Sequence, residues 1–236
     1  MSRYNAGMVL FFILFAALLA LPVIWPPVDL WVAGLFYRPD GGFFLADNPI
    51  CVALHWGAYD GARVLGVGFA VLAVAAWARR KPLLGCDAKA WLFLLLALLI
   101  APGLVANAGF KDHWGRARPR EVTAFGGAAP FSPALIPQPH PKRNESFVSG
   151  DGAFGFFLPV FAYVVPRRRA RRVFWAMMAA GAAFGFVRIV MGAHFFSDVM
   201  YAAFFMLATV TAVHAAMYGR AETAARWRSW FSREPV

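Results

Sequence analysis

Residues 8–25 read Met-Val-Leu-Phe-Phe-Ile-Leu-Phe-Ala-Ala-Leu-Leu-Ala-Leu-Pro-Val-Ile-Trp. The run holds no charged side chain and comes close to the ~20 residues a helix needs to cross hydrocarbon. It lacks a small-x-small cleavage site and further apolar runs follow, so it reads as a retained span and not as a signal peptide. Pro22, Pro26 and Pro27 end it. Five more spans follow: 58–78, stopping at Arg79-Arg80-Lys81-Pro82; 90–108, with Pro102, Gly103 and Asn107 near its end; 147–165, meeting Pro166; 173–191; and 195–217. The expected fold is an all-α, polytopic membrane helix bundle with six transmembrane helices, one membrane-embedded domain over 1–236. Residues 26–57 mix Asp29, Arg38, Pro39 and Asp47 with Trp31, Phe36, Tyr37, Phe43 and Phe44. That mixture predicts an interfacial segment after the first span, its rings at headgroup depth.

Composition agrees. Of 236 residues, 61% are hydrophobic, against ~45–50% in soluble domains, and mean hydropathy is +0.58. The net charge of +11 invites a nucleic-acid reading, but its distribution argues for none. Of 23 Lys and Arg, 14 fall in four places: Arg3; Arg79, Arg80, Lys81 and Lys89; Arg167, Arg168, Arg169, Arg171 and Arg172; and Arg220, Arg226, Arg228 and Arg233. These flank apolar spans on a single side, as the positive-inside bias requires. The basic stretch 218–236 then forms a cytoplasmic tail, and 26–57, 109–146 and 189–196 face outward. Cys51 and Cys86 fall on opposite sides and match no metal motif; no metal and no cofactor are expected.

Three polar clusters land on that outer face: Lys111-x6-Arg118-Pro119, Ser149-Gly150-Asp151, and Arg188-x5-His194-x3-Asp198. Ionisable groups at membrane depth are costly and mark function by default. His194 and Asp198, i and i+4, share a helix face. A carboxylate there can fix the imidazole tautomer and free the other nitrogen to attack; the plainer alternative is a helix N-terminus capped by Ser197 or Asp198. Arg188 and His194 would lie about 240° apart on an unbroken helix, so Gly192 is read as the break that turns both into one outer pocket. Lys111 and Arg118, beside Arg116 and Arg120, offer a point charge and a planar fork for phosphate oxygens. Ser149-Gly150 opens a helix, where free backbone N–H groups favour an anion, or where Ser149 is an ordinary cap.

In order and spacing these clusters resemble the type 2 phosphatidic acid phosphatase superfamily, integral-membrane lipid phosphatases related to bacterial acid phosphatases and vanadium haloperoxidases. The family pattern is Lys-x6-Arg-Pro, Pro-Ser-Gly-His and Ser-Arg-x5-His-x3-Asp. It is met by Lys111 to Pro119, by Val148-Ser149-Gly150-Asp151, and by Val187-Arg188 to His194 and Asp198, across about 88 residues. The resemblance implies that His194 is the nucleophile of a phosphohistidine intermediate and that Asp198 orients it. Lys111, Arg118 and Arg188, with Ser149 and the Gly150 amide, would hold the phosphoryl oxygens without a metal.

Three positions depart from the pattern. Val187 and Val148 are mild changes. Asp151 stands where the family's His protonates the leaving oxygen, and an ordinary carboxylic acid ionises near ~4, so it has no proton to give at neutral pH. Four accounts stay open: a leaving group good enough to need no acid, Asp151 itself acting as the catalytic acid, a loop histidine (His113 or His140) substituting, or binding without hydrolysis. The resemblance implies a hydrolase of the bacterial inner membrane with its site facing the periplasm. Its partners would be the bilayer and a phosphorylated lipid: a lipid A phosphate or undecaprenyl diphosphate, or phosphatidylglycerol phosphate. A lipid phosphotransferase, and a non-catalytic phosphate-lipid binding or transport protein, are the alternatives.

Overall fold

The computed structural model describes residues 3–139 and 145–231. The first helix, α1 (Arg3–Ile24), presents Leu10, Ile13, Leu14 and Ile24 outward, as a helix facing hydrocarbon must. After Pro26-Pro27 come a short helix, α2 (Val28–Gly34), and a two-strand hairpin pairing Tyr37 with Phe43. Asn48 then caps α3 (Pro49–Arg79), its side chain accepting from the Ile50 and Cys51 amides. Pro49 sits at the first helical position, where its missing N–H costs nothing. Cys51 and Cys86 are both free and lie at opposite ends of this helix. The segment expected to lie along the surface therefore ends at residue 48, because the capped helix takes in residues 49–57.

The Asp87 side chain caps α4 (Ala88–Leu98), which runs on as a wider π-type helix over Leu99–Lys111. Pro102 lies in that stretch and lacks the N–H that a regular turn would bond. Asn107 Nδ2 donates instead to the Pro102 carbonyl at 2.9 Å. Such widening is common at functional sites, and here it ends on Lys111.

Among the described residues, five helices are long and apolar enough to cross a membrane: Ala6–Ile24, Pro49–Arg79, Ala88–Lys111, Arg167–Val190 and Phe196–Tyr218. The fourth expected span, 147–165, is shorter. It comprises α5 (Gly150–Phe157), a tight turn around Pro159, and α6 (Phe161–Val164). This piece is the core of the bundle: Ala153, Phe156, Phe157, Val160 and Ala162 are buried. Glycines let its neighbour come close. A Cβ on Gly155 would lie 2.8 Å from Gly181 Cα of α7 (Arg167–Val190). α8 (Phe196–Tyr218) packs on its other side.

The basic tail is more structured than its charge implies. Residues Arg220–Phe231 form α9, which stacks Trp230 on Phe174 at 4.4 Å and sets Phe231 5.3 Å from Phe11. One aromatic face thus closes the bundle while Arg220 and Arg228 stay outside it. Residues 232–236, including Arg233, lie outside the described residues. The basic stretches occupy one set of helix ends: the C-terminus of α3, the N-termini of α4 and α7, and the end of α8. Lys111, Ser149, Arg188 and His194 occupy the opposite set.

Candidate active site

α7 ends at Val190, and Gly192 follows in a left-handed conformation with φ +64°. The break expected at Gly192 is therefore present, and a Cβ there would also strike the Phe43 ring at 2.3 Å. The Ala193 and His194 amides bond back to the Arg188 carbonyl at 3.0 and 3.2 Å. This turn places Arg188 and His194 side by side despite their spacing, and α8 starts two residues later.

A cavity of about 640 Å³ opens there, and Lys111, Arg118, Gly150, Asp151, Arg188 and His194 line it. All three clusters thus meet, with Lys111 from the π-type helix, Arg118 from the following loop, Gly150 and Asp151 from the first turn of α5. A Cβ at Gly150 would come within 2.9 Å of Lys111 Nζ, so the glycine leaves room for the ammonium where it lies. Ser149 is fully buried and its hydroxyl accepts from the Gly152 amide at 3.2 Å. It serves as the N-cap of α5 and does not line the cavity. Its own amide bonds the Asp198 carbonyl at 3.2 Å, tying α5 to α8. Burial, then repulsion from Arg120, lowers Arg118 from the value of a free guanidinium. The cation cluster is therefore unfavourable as it stands and suited to an anion.

His194 is 1% exposed. Its Nδ1 lies 2.7 Å from the Ser146 backbone oxygen, and 3.8 Å from Asp198 Oδ2. A carbonyl only accepts, so Nδ1 carries the proton and Nε2 keeps its lone pair. The orienting contact is thus the Ser146 carbonyl, with Asp198 standing behind it. Asp198 Oδ2 accepts from the Ser146 hydroxyl at 2.6 Å and from the Phe195 amide at 2.8 Å. Burial first, then the cations Lys111 and Arg118, lower His194 to about 4, so the ring is neutral at neutral pH.

Arg116 lies behind that pair. It is wholly buried: Nε donates to the Ser132 carbonyl at 3.0 Å, one terminal nitrogen to Ser197 Oγ at 2.8 Å and Asp198 Oδ1 at 2.5 Å, and the other to Asp29 Oδ2 at 2.7 Å. Asp29 Oδ1 accepts in turn from the Ser197 amide at 2.9 Å. Burial works against the Arg116 charge, yet Asp198 and Asp29 outweigh it and raise its value. Burial raises Asp29 above the usual carboxylate range, against the pull of Arg116. Neither residue stood out in the sequence. Asp29 sat among aromatics, and Arg116 among four loop cations.

A third such residue is His55, on α3. Its Nδ1 lies 2.7 Å from Asp151 Oδ2, and it lines the cavity with Trp56 and Tyr59. Asp151 also pairs with Arg188 Nε at 3.2 Å. Of the loop histidines, His113 is exposed and is not part of the cavity wall, and His140 lies outside the described residues. Among the described residues no group of three or more His, Cys, Asp and Glu is placed to hold a metal ion.

The chain matches the PAP2 superfamily over residues 90–222. It is 34% identical to a lipid A 4'-phosphatase of Francisella tularensis subsp. novicida over 211 residues, covering 85% of this chain and 90% of that protein. It is 30% identical to a lipid A 4'-phosphatase of Rhizobium etli over 215 residues, 84% of this chain and 82% of that one. A Rhizobium leguminosarum lipid A 4'-phosphatase is 37% identical over 103 residues, 44% of each chain. No solved structure matches.

Proposed function

Because the chain belongs to the PAP2 superfamily and is a lipid phosphatase, we propose that it removes the phosphate of a lipid A-type glycolipid through a phosphohistidine at His194, on the periplasmic face of a bacterial inner membrane. The observation that carries the reading is the state of His194. It is a neutral ring, its Nδ1 proton held by the Ser146 carbonyl, on the wall of a cavity shared with Lys111, Arg118 and Arg188.

Nε2 attacks phosphorus while the P–O bond to the lipid breaks. The three side-chain cations take up the charge on the non-bridging oxygens, so no metal is invoked. As the P–N bond forms, the ring becomes cationic, and Asp198 behind it offsets that charge. Arg116 fixes Asp198 before substrate arrives, so no reorganisation accompanies the step. Water then attacks phosphorus, the P–N bond breaks and phosphate leaves. The apolar helix faces hold the acyl chains' bilayer around the site, and the basic helix ends favour the opposite, cytoplasmic side.

The test is phosphate release by purified protein in detergent with a chelator present, against lipid A bisphosphate, undecaprenyl diphosphate and phosphatidylglycerol phosphate. Lipid A is expected to be the preferred substrate, with label trapped on His194 after acid-avoiding quench and lost in His194→Ala. Full release by His194→Ala would overturn the mechanism.

A further inference from the structure

We infer that His55, held by Asp151, is the catalytic acid that protonates the leaving oxygen of the lipid and then the base that takes a proton from the attacking water. The inference rests on the phosphatase reading above. A sugar or alkyl hydroxyl leaves poorly as an alkoxide, so phosphoryl transfer from such an ester needs a proton delivered to the departing oxygen. Asp151 is poorly placed to give one, because its Oδ2 is occupied by two positive or proton-bearing partners, His55 at 2.7 Å and Arg188 at 3.2 Å. A carboxylate so engaged accepts. The proton on the His55–Asp151 contact therefore belongs to Nδ1, which leaves Nε2 of His55 as the nitrogen available to the cavity.

The other proton carriers on the cavity wall are placed differently. His194 is the neutral nucleophile. The Tyr59 hydroxyl accepts from Arg63 at 2.6 Å, on the exposed rim. Lys111 Nζ lies against Gly150, within the cation cluster. His55 stands apart from that cluster, on a different helix, and its side chain keeps 30% exposure, which admits proton exchange with water.

The steps balance. Nε2 of His194 forms the P–N bond, the P–O bond to the lipid breaks, and His55, entering the step as the imidazolium paired with Asp151, gives its Nε2 proton to the leaving oxygen and keeps its Nδ1 proton in the contact with Asp151, giving the lipid hydroxyl. Water then attacks phosphorus and gives a proton to Nε2 of His55. The P–N electron pair returns to His194, and inorganic phosphate departs. Asp151 is a positioning residue in this scheme. It fixes the His55 ring, and it compensates the imidazolium while that proton waits.

Two phosphate monoesters with the same acyl tail test it, one with an alkyl leaving oxygen and one with a nitrophenyl leaving oxygen that needs no acid. His55→Gln is expected to lose on the order of 10²–10⁴-fold in kcat/KM on the alkyl ester, and less than about tenfold on the nitrophenyl ester. Activity on the second ester also reports that the variant is folded. Asp151→Asn is expected to keep the same preference for the activated ester with a smaller loss. Equal losses on both esters, or no loss on either, would overturn the assignment. A wild-type protein whose turnover of both esters equals that of His194→Ala would instead overturn the phosphatase reading itself.

Discussion

Arg116 and Asp198 meet at 2.5 Å in a pocket that neither shares with solvent. The guanidinium also holds Asp29 at 2.7 Å, so one cation serves two buried carboxylates and joins α2 to the start of α8. Removing one partner of a buried ion pair strands the other charge and costs about 3–5 kcal/mol. Arg116→Ala is therefore expected to lower thermal stability sharply in detergent. Arg116→Lys is expected to rescue little, because an ammonium cannot span Ser132, Asp198 and Asp29 as the planar fork does. Asp29→Asn is expected to be milder, on the order of 1–3 kcal/mol, since an amide can still accept from Arg116. Calorimetric or fluorescence melting of the three variants orders them, and equal melting temperatures would sink the account.

His194 gives a pH prediction with a definite sign. Burial and its neighbouring cations lower it to about 4 from an ordinary value of 6.5. The nucleophile is then neutral over the whole range above about 4, and the acid limb of kcat/KM due to this ring is expected near pH 4. A limb at 6–7 that survives in every other titratable variant would contradict it. The same shift bears on stability. Between pH 6.5 and about 4 the unfolded chain binds a proton that the folded chain does not, so stability rises with pH across that window. His194→Gln is expected to flatten the difference in melting temperature between pH 4.5 and pH 7.

Much of the frame was legible in the sequence, because hydropathy and the motif spacings are local. The span limits at Pro26, Arg79-Arg80 and Pro166, the break at Gly192, and the convergence of Lys111, Arg118, Asp151, Arg188 and His194 all follow from patterns a few residues long. The contacts that complete the site are not local. Arg116 reaches Asp29 and Asp198 across 87 and 82 residues, and His55 reaches Asp151 across 96. No periodicity links such partners. His55 was hidden further because residues 49–57 looked like part of a surface segment, until Asn48 and Pro49 proved to start a helix. The shortness of the fourth span was hidden for a different reason: an apolar run looks alike whether it faces lipid or, as in 150–164, the inside of the bundle.

Two glycines, Gly150 on the cavity wall and Gly192 in the turn before His194, separate folding from binding. At Gly192 an added Cβ meets the Phe43 ring at 2.3 Å, and the backbone sits at φ +64°. The left-handed conformation alone costs an L-residue roughly 1–2 kcal/mol, and a packed ring yields little. Gly192→Ala is expected to lose stability and activity together. At Gly150 the Cβ meets Lys111 Nζ at 2.9 Å and Cε at 3.1 Å, the movable end of a flexible side chain. Gly150→Ala is expected to fold with an unchanged melting temperature but to raise KM, as the ammonium is pushed off its place.

Arg118 tests the phosphate grip directly. Its side chain lines the cavity, and its backbone amide donates to Glu121 Oε2 at 2.9 Å. Arg118→Gln is expected to fold normally and to lose about 10²–10³-fold in kcat/KM, the usual loss when one donor to a developing oxyanion is removed. Arg118→Lys is expected to recover only part of it, because an ammonium supplies the charge without the two parallel N–H groups that match phosphate oxygens. The check is steady-state phosphate release beside the binding of inorganic phosphate. A loss of turnover with phosphate affinity intact would place Arg118 on the transition state alone, and full activity in Arg118→Gln would remove it from the grip.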